Sequence, residues 1–178
     1  MVYRVMIDWK KIEEKLIWDG YRKIISRIFI LPNGKETNFE IKKESNTVCA
    51  VGLTKNNKII LARQFRPGPE KALLELPGGC IDGNESPEDA IRREFLEETG
   101  YTGDFQFVTQ VLRDAYSTSI GHCFVATNCH KIQEPKTDDS EFVEVVEMPL
   151  EDFRNHLRSG QLTDAESGYL GLDYLKLL

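Results

Sequence analysis

The chain has 178 residues, 40% of them hydrophobic and 29% charged, with a formal net charge of −6. That size and balance suit one ordinary soluble domain with a real core and exclude collagen-like or disordered composition. No run approaches the roughly 18 apolar residues of a membrane span, and no basic stripe marks a duplex nucleic-acid partner. The N-terminus has no apolar stretch followed by a small-residue cleavage site, so a cytoplasmic protein is expected.

In chain order, Trp9, Ile12, Leu16 and Ile17 recur at helical spacing and predict a short amphipathic helix over 9–18. Lys23 to Leu31 is rich in β-branched and aromatic residues, Pro32-Asn33-Gly34-Lys35 signals a turn, and Glu36 to Ile41 begins a second strand. Residues 1–45 therefore read as a helix plus an antiparallel β-hairpin unit, and 46–178 as the main domain. Thr47 to Leu53 and Lys58 to Phe65 form a further strand pair, and the short apolar Leu73 to Leu76 runs into Pro77-Gly78-Gly79. Ser86-Pro87-Glu88-Asp89 is a helix start: a hydroxyl N-cap, proline at the first position, acids in the first turn. Gly100 stops that helix. Strands are expected at Phe105 to Leu112, Gly121 to Thr127 and Phe142 to Val146. A helix follows from Pro149 to about Ser159, and a last one runs from near Asp164 to the C-terminus. Strands on both sides of a central helix, with helices at the end, argue for a mixed α/β (α+β) domain. Cys49, Cys80, Cys123 and Cys129 lack the spacing of a zinc or redox motif and read as reduced thiols.

The stretch that carries chemistry runs from Gly79 to Tyr101. Glu94, Glu97 and Glu98 fall three and four apart and share one helix face, while Ala90, Ile91 and Phe95 occupy the opposite one. Carboxylates held that close repel unless something cationic sits among them, and oxygen-only ligands suit hard divalent cations rather than zinc. Three glutamates alone fit a solvated acidic face better than they fit a metal site. The complete spacing does not. Gly79, Glu85 and Arg93-Glu94-Phe95-Leu96-Glu97-Glu98-Thr99-Gly100-Tyr101 resemble the Nudix box without a departure. At roughly one in twenty per residue type, the box's seven fixed positions recur by chance about once in 10⁹ windows.

The resemblance implies a Nudix fold, a mixed β-sheet sandwiched between helices, and hydrolysis of a nucleoside diphosphate linked to another group. It implies Mg²⁺ (or Mn²⁺), two or three ions, held by Glu94, Glu97, Glu98 and the Gly78 carbonyl. Arg93 and Glu85 match the pair that orients these carboxylates, while Gly79 and Gly83 serve the loop geometry and Gly100 is a structural position of the box.

Outside the box, three regions resemble the ADP-ribose pyrophosphatase branch. Arg63-Gln64-Phe65-Arg66 followed by Leu74-Glu75-Leu76-Pro77-Gly78-Gly79 has that branch's form, and Arg63, Arg66 and Glu75 are candidate substrate contacts. The stretch from Asp138 to Val145 resembles its acidic loop, with Glu141 the first choice for catalytic base and Asp139 the second. The tail from Gly160 to Ala165 is similar too, and the early hairpin resembles a unit that exchanges across a homodimer. The branch's proline, about fifteen residues past the box, is absent; there Tyr116 either stacks on a base or packs on the sheet. ADP-ribose is the expected substrate. GDP-mannose, another sugar nucleotide or a damaged nucleotide is the alternative, and a non-catalytic nucleotide sensor is a third reading.

Overall fold

Where apolar spacing predicts a helix over 9–18, the chain forms strand β1 (Lys10–Asp19), paired antiparallel with β2 (Lys23–Ile30). The register slips between Lys11 and Glu13 and again between Leu16 and Trp18, so Ile12 and Ile17 are the extra residues. Each slip resets the in–out alternation, and two of them mimic a helical stripe. A lone ten-residue helix is marginal in water, whereas β2 offers β1 a hydrogen-bonded ladder that runs its length apart from the two bulges.

The computed structural model describes residues 9–136 and 142–178, which cluster into two compact units. The first runs to Ser45 and takes in Arg113–Ser119. Its sheet has the order β1-β2-β3, with β3 spanning Glu36–Lys43. The turn before β3 follows from its residues: Gly34 sits at φ 80°, and the Asn33 side chain accepts from the Lys35 amide at 3.0 Å. The 113–119 segment runs beside β3, with the Lys42 amide donating to the Tyr116 carbonyl and the Thr118 amide to the Lys42 carbonyl. Lys42 also pairs with Asp114.

The second unit comprises Asn46–Leu112 and Ile120–Leu178. Its strands are β4 (Thr47–Thr54), β5 (Lys58–Arg66), β6 (Lys71–Glu75), β7 (Gly78–Cys80), β8 (Tyr101–Leu112), β9 (Ile120–Lys131) and β10 (Glu144–Pro149). Their order is β10-β5-β4-β9-β8, with β6 on β5 and β7 on β4. The β4–β9 pairing is parallel and the rest are antiparallel, so the sheet is mixed.

Two-residue alternation sorts the core. Val48, Ala50, Ile60, Phe124 and Ala126 face one side, where Ala90, Ile91 and Phe95 of α1 (Pro87–Thr99) pack. Cys49, Val51, Ile59, Leu61 and Val125 face the other, against α2 (Leu150–Arg158) and α3 (Ala165–Tyr174). Both sets are fully sequestered, which explains why β4 reads as a continuous apolar run. The sheet is sandwiched between helices, as expected.

Several boundaries move, with β9 running on to Lys131 and β10 to Pro149. Strand β8 starts at Tyr101 because Tyr101 and Thr102 pair with Lys131 and His130, and an irregularity before Asp104 absorbs the Thr-Gly-Asp sequence that resembles a turn. Helix α3 ends at Tyr174 rather than at the C-terminus. Arg154 of α2 takes the Leu177 carbonyl through Nε (2.9 Å) and Nη2 (2.6 Å), which ties the tail down outside the helix. Among the described residues, no helix is long and apolar enough to cross a membrane.

Candidate active site

Helix α1 is built as its sequence dictates. The Ser86 side chain accepts from the Asp89 amide at 3.1 Å, Pro87 occupies the first turn, and Gly100 ends the helix at φ 75° with its amide on the Leu96 carbonyl. With Phe95 buried on the sheet, the register turns Glu94 and Glu98 toward the segment carrying Gly78 and Gly79, while Glu97, more exposed, meets Arg93.

Arg93 is the hub. Its Nε and Nη2 grip both oxygens of Glu85 at 3.0 and 2.8 Å, Nη1 meets Glu94 at 2.9 Å and Glu97 at 3.3 Å, and Nη2 also donates to the Cys80 carbonyl at 3.2 Å. A planar fork with five donors can serve that many partners, whereas a lysine cannot. This environment holds the Glu85 carboxyl below its ordinary value of 4.5, chiefly through the Arg93 hydrogen bonds.

A depressed carboxyl stabilises the fold fully above its unfolded value, and that contribution is lost as pH falls through the lower folded value. Arg93→Met is therefore expected to cost about 2–3 kcal/mol at neutral pH. Denaturant titrations should show the gap narrowing once the pH drops below about 4.5. A gap that stays constant across that range would contradict the role of the pair.

Glu98 is only 7% exposed, and its Oε2 accepts from the Gly78 amide at 2.9 Å. A Cβ on Gly79 would run into the Glu94 carboxylate, so the loop glycine is what lets that side chain lie against the backbone. These donors are all hard oxygens, partly or wholly withdrawn from water, with several negative charges around one guanidinium, and that chemistry fits a divalent cation. Among the described residues, no three His, Cys, Asp or Glu side chains already converge on a common point. The Arg93 Nη1 group, between Glu94 and Glu97, stands in that space.

The structure brings Arg66 and Glu75 together, with Nε donating to Oε2 at 2.5 Å. It separates Arg63 from them. Three residues apart on a strand means opposite faces, and Arg63 pairs with Glu144 at 3.1 Å. Arg63 lines a cavity of about 450 Å³ with Lys71, Leu74, Val146, His156 and Gln161. Tyr116 packs: its ring lies 6.5 Å from that of Phe39, and it remains 54% exposed. Glu141 and Asp139 lie outside the described residues. Lys136, the last described residue before them, donates its amide to the Glu97 carbonyl at 2.7 Å.

Two features escaped the sequence. Thr163 donates to Glu75 Oε1 at 2.5 Å across 88 residues of chain, and no local pattern announces such a bond. Tyr101, read only as a bulky box position, donates its hydroxyl to Glu147 at 2.6 Å. Lys58 holds the other Glu147 oxygen at 3.0 Å, and burial pushes the Tyr101 hydroxyl up to about 12.

With this geometry in place, the NUDIX domain model matches residues 43–166. The chain belongs to the Nudix family. It is 35% identical to the ADP-ribose pyrophosphatase of Bacillus subtilis (strain 168) over 83% of this chain and 80% of that one. It is likewise 35% identical to the GDP-mannose pyrophosphatase of Yersinia enterocolitica, over 63% of each chain. A crystal structure of an ADP compounds hydrolase superposes with a TM-score of 0.82 at 22% identity, covering 98% of this chain and 97% of that one, which shows the Nudix fold.

Proposed function

We propose that this Nudix hydrolase cleaves the pyrophosphate bond of a nucleoside diphosphate sugar, with ADP-ribose as the preferred substrate giving AMP and ribose 5-phosphate. The observation that carries this reading is the complete box on α1, with Glu98 buried against Gly78 and Arg93 gripping Glu85, Glu94 and Glu97. The similarity to the Bacillus subtilis ADP-ribose pyrophosphatase supports the choice of substrate.

Glu94, Glu97, Glu98 and the Gly78 carbonyl would hold Mg²⁺ or Mn²⁺, which when bound neutralises phosphate charge and acidifies a water. Arg93 sits among the carboxylates and offsets their mutual repulsion while staying anchored on Glu85. Arg66 receives an anionic oxygen of the substrate and steadies charge as it develops. Glu141 accepts the proton of the attacking water, with Asp139 as the second choice; the Lys136–Glu97 bond, which ties Lys136 to α1, supports that role.

A product-mass assay of ADP-ribose, GDP-mannose, UDP-glucose, NADH and diadenosine polyphosphates in Mg²⁺ tests the reading. ADP-ribose should show the highest kcat/KM. Preference for GDP-mannose would instead favour the second reading, which the Yersinia relative supports. Tight binding with no hydrolysis of any compound would leave a sensor.

The protein acts as a cytoplasmic homodimer. Trp9, Ile12, Leu16, Ile17 and Trp18 are each more than 40% exposed, apolar side chains that a second copy would cover. Light scattering at micromolar concentration should give about twice the chain's 20.4 kDa, and a monomer would refute the arrangement.

A further inference from the structure

Glu75 is a carboxylate only 2% exposed, near the end of β6, and a buried charge is costly unless its oxygens are satisfied. Each oxygen has its own partner: Arg66 Nε on Oε2 and the Thr163 hydroxyl on Oε1, both at 2.5 Å. The Arg66 side chain is 43% exposed, and it spends Nε on this bond. Among the described residues, its two terminal amino groups bind nothing in the chain. A guanidinium is planar, so fixing the Nε edge on an immobile carboxylate fixes where the terminal fork points. The fork belongs to a half-exposed side chain in a protein whose net charge of −6 otherwise opposes an anionic ligand. Arg63, by contrast, is engaged with Glu144.

From this chain of contacts we infer that Thr163, acting through Glu75, is a positioning residue that aims Arg66 at a phosphate oxygen of the substrate. The inference rests on the pyrophosphohydrolase reading above and assigns Glu75 to holding the arginine rather than to touching the substrate. The hydroxyl donor comes from the loop between α2 and α3, so the C-terminal part of the chain takes part in substrate recognition at a strand near its middle.

The test is a double-mutant cycle on the full chain, read as KM against kcat for ADP-ribose hydrolysis. Thr163→Val, which removes the hydroxyl and keeps the shape, should raise KM about tenfold and change kcat by less than about threefold. Thr163→Ser, which keeps the hydroxyl, should restore KM. In an Arg66→Ala background, which itself raises KM, Thr163→Val should add almost nothing.

Multiplying effects, or a fall in kcat at unchanged KM, would overturn the relay. Should Thr163→Val prove unfolded by circular dichroism, Arg66→Lys decides. It keeps the charge but not the Nε anchor, so KM near that of Arg66→Ala supports the relay and a wild-type KM refutes it. If the wild-type chain hydrolyses nothing, the same cycle is read by calorimetric binding of ADP. Coupled losses of ADP affinity would then sustain the relay while the hydrolase reading fails, and a wild-type chain that binds no ADP would overturn both.

Discussion

Replacing Glu98 by glutamine is expected to lower turnover by roughly three orders of magnitude, the upper end of the loss seen when one preorganised polar group is removed from a reaction centre. The amide oxygen of glutamine can still accept from the Gly78 amide, as Glu98 Oε2 does at 2.9 Å, and the volume is unchanged. The fold should therefore survive, with a thermal midpoint within a few degrees of wild type. What disappears is a negative charge on a side chain only 7% exposed, the charge that a divalent cation held there would need. Steady-state rates at saturating Mg²⁺ make the comparison. A variant as active as wild type would remove Glu98 from the catalytic set.

Gly78→Ala should be strongly disruptive. A Cβ there would collide with the Val48 carbonyl oxygen and lie 2.6 Å from the Cys49 Cα, both backbone atoms of a central strand that cannot rotate away. The three-residue β7 would have to lift off β4, breaking the Val48–Gly79 and Cys49–Gly78 register and withdrawing the amide that Glu98 accepts. Overpacking of this kind costs about 3 kcal/mol, and activity should fall together with stability. Denaturant unfolding and ADP-ribose turnover, measured side by side, check this. A stable variant with normal rates would show that the loop relaxes more freely than its contacts suggest.

Much of this was legible in the sequence because the information is local. The N-cap at Ser86, the stop at Gly100 and the spacing of Arg93, Glu94, Glu97 and Glu98 depend on neighbours within one helix. They placed α1 within its observed bounds, Pro87–Thr99. The Nudix fold followed from the same box, and the β2–β3 hairpin from its own turn residues. The N-terminal segment misled for an equally local reason: bulges at Ile12 and Ile17 give a strand the apolar spacing of a helix, and only the presence of β2 settles the matter.

Other assignments were decided by tertiary structure alone. Arg63 and Arg66 look equivalent in sequence, yet strand alternation sends them to different faces, one to Glu144 and the other to Glu75. Tyr116 rests on Phe39 because the 113–119 segment runs beside β3, a pairing no motif encodes. Thr163 reaches Glu75 from 88 residues away. The sequence by itself determined the family and the carboxylate face, since helical periodicity and side-chain chemistry suffice for both. Only the folded chain decided which arginine keeps an open fork and what holds it there, because those facts depend on burial and on contacts between residues far apart along the chain.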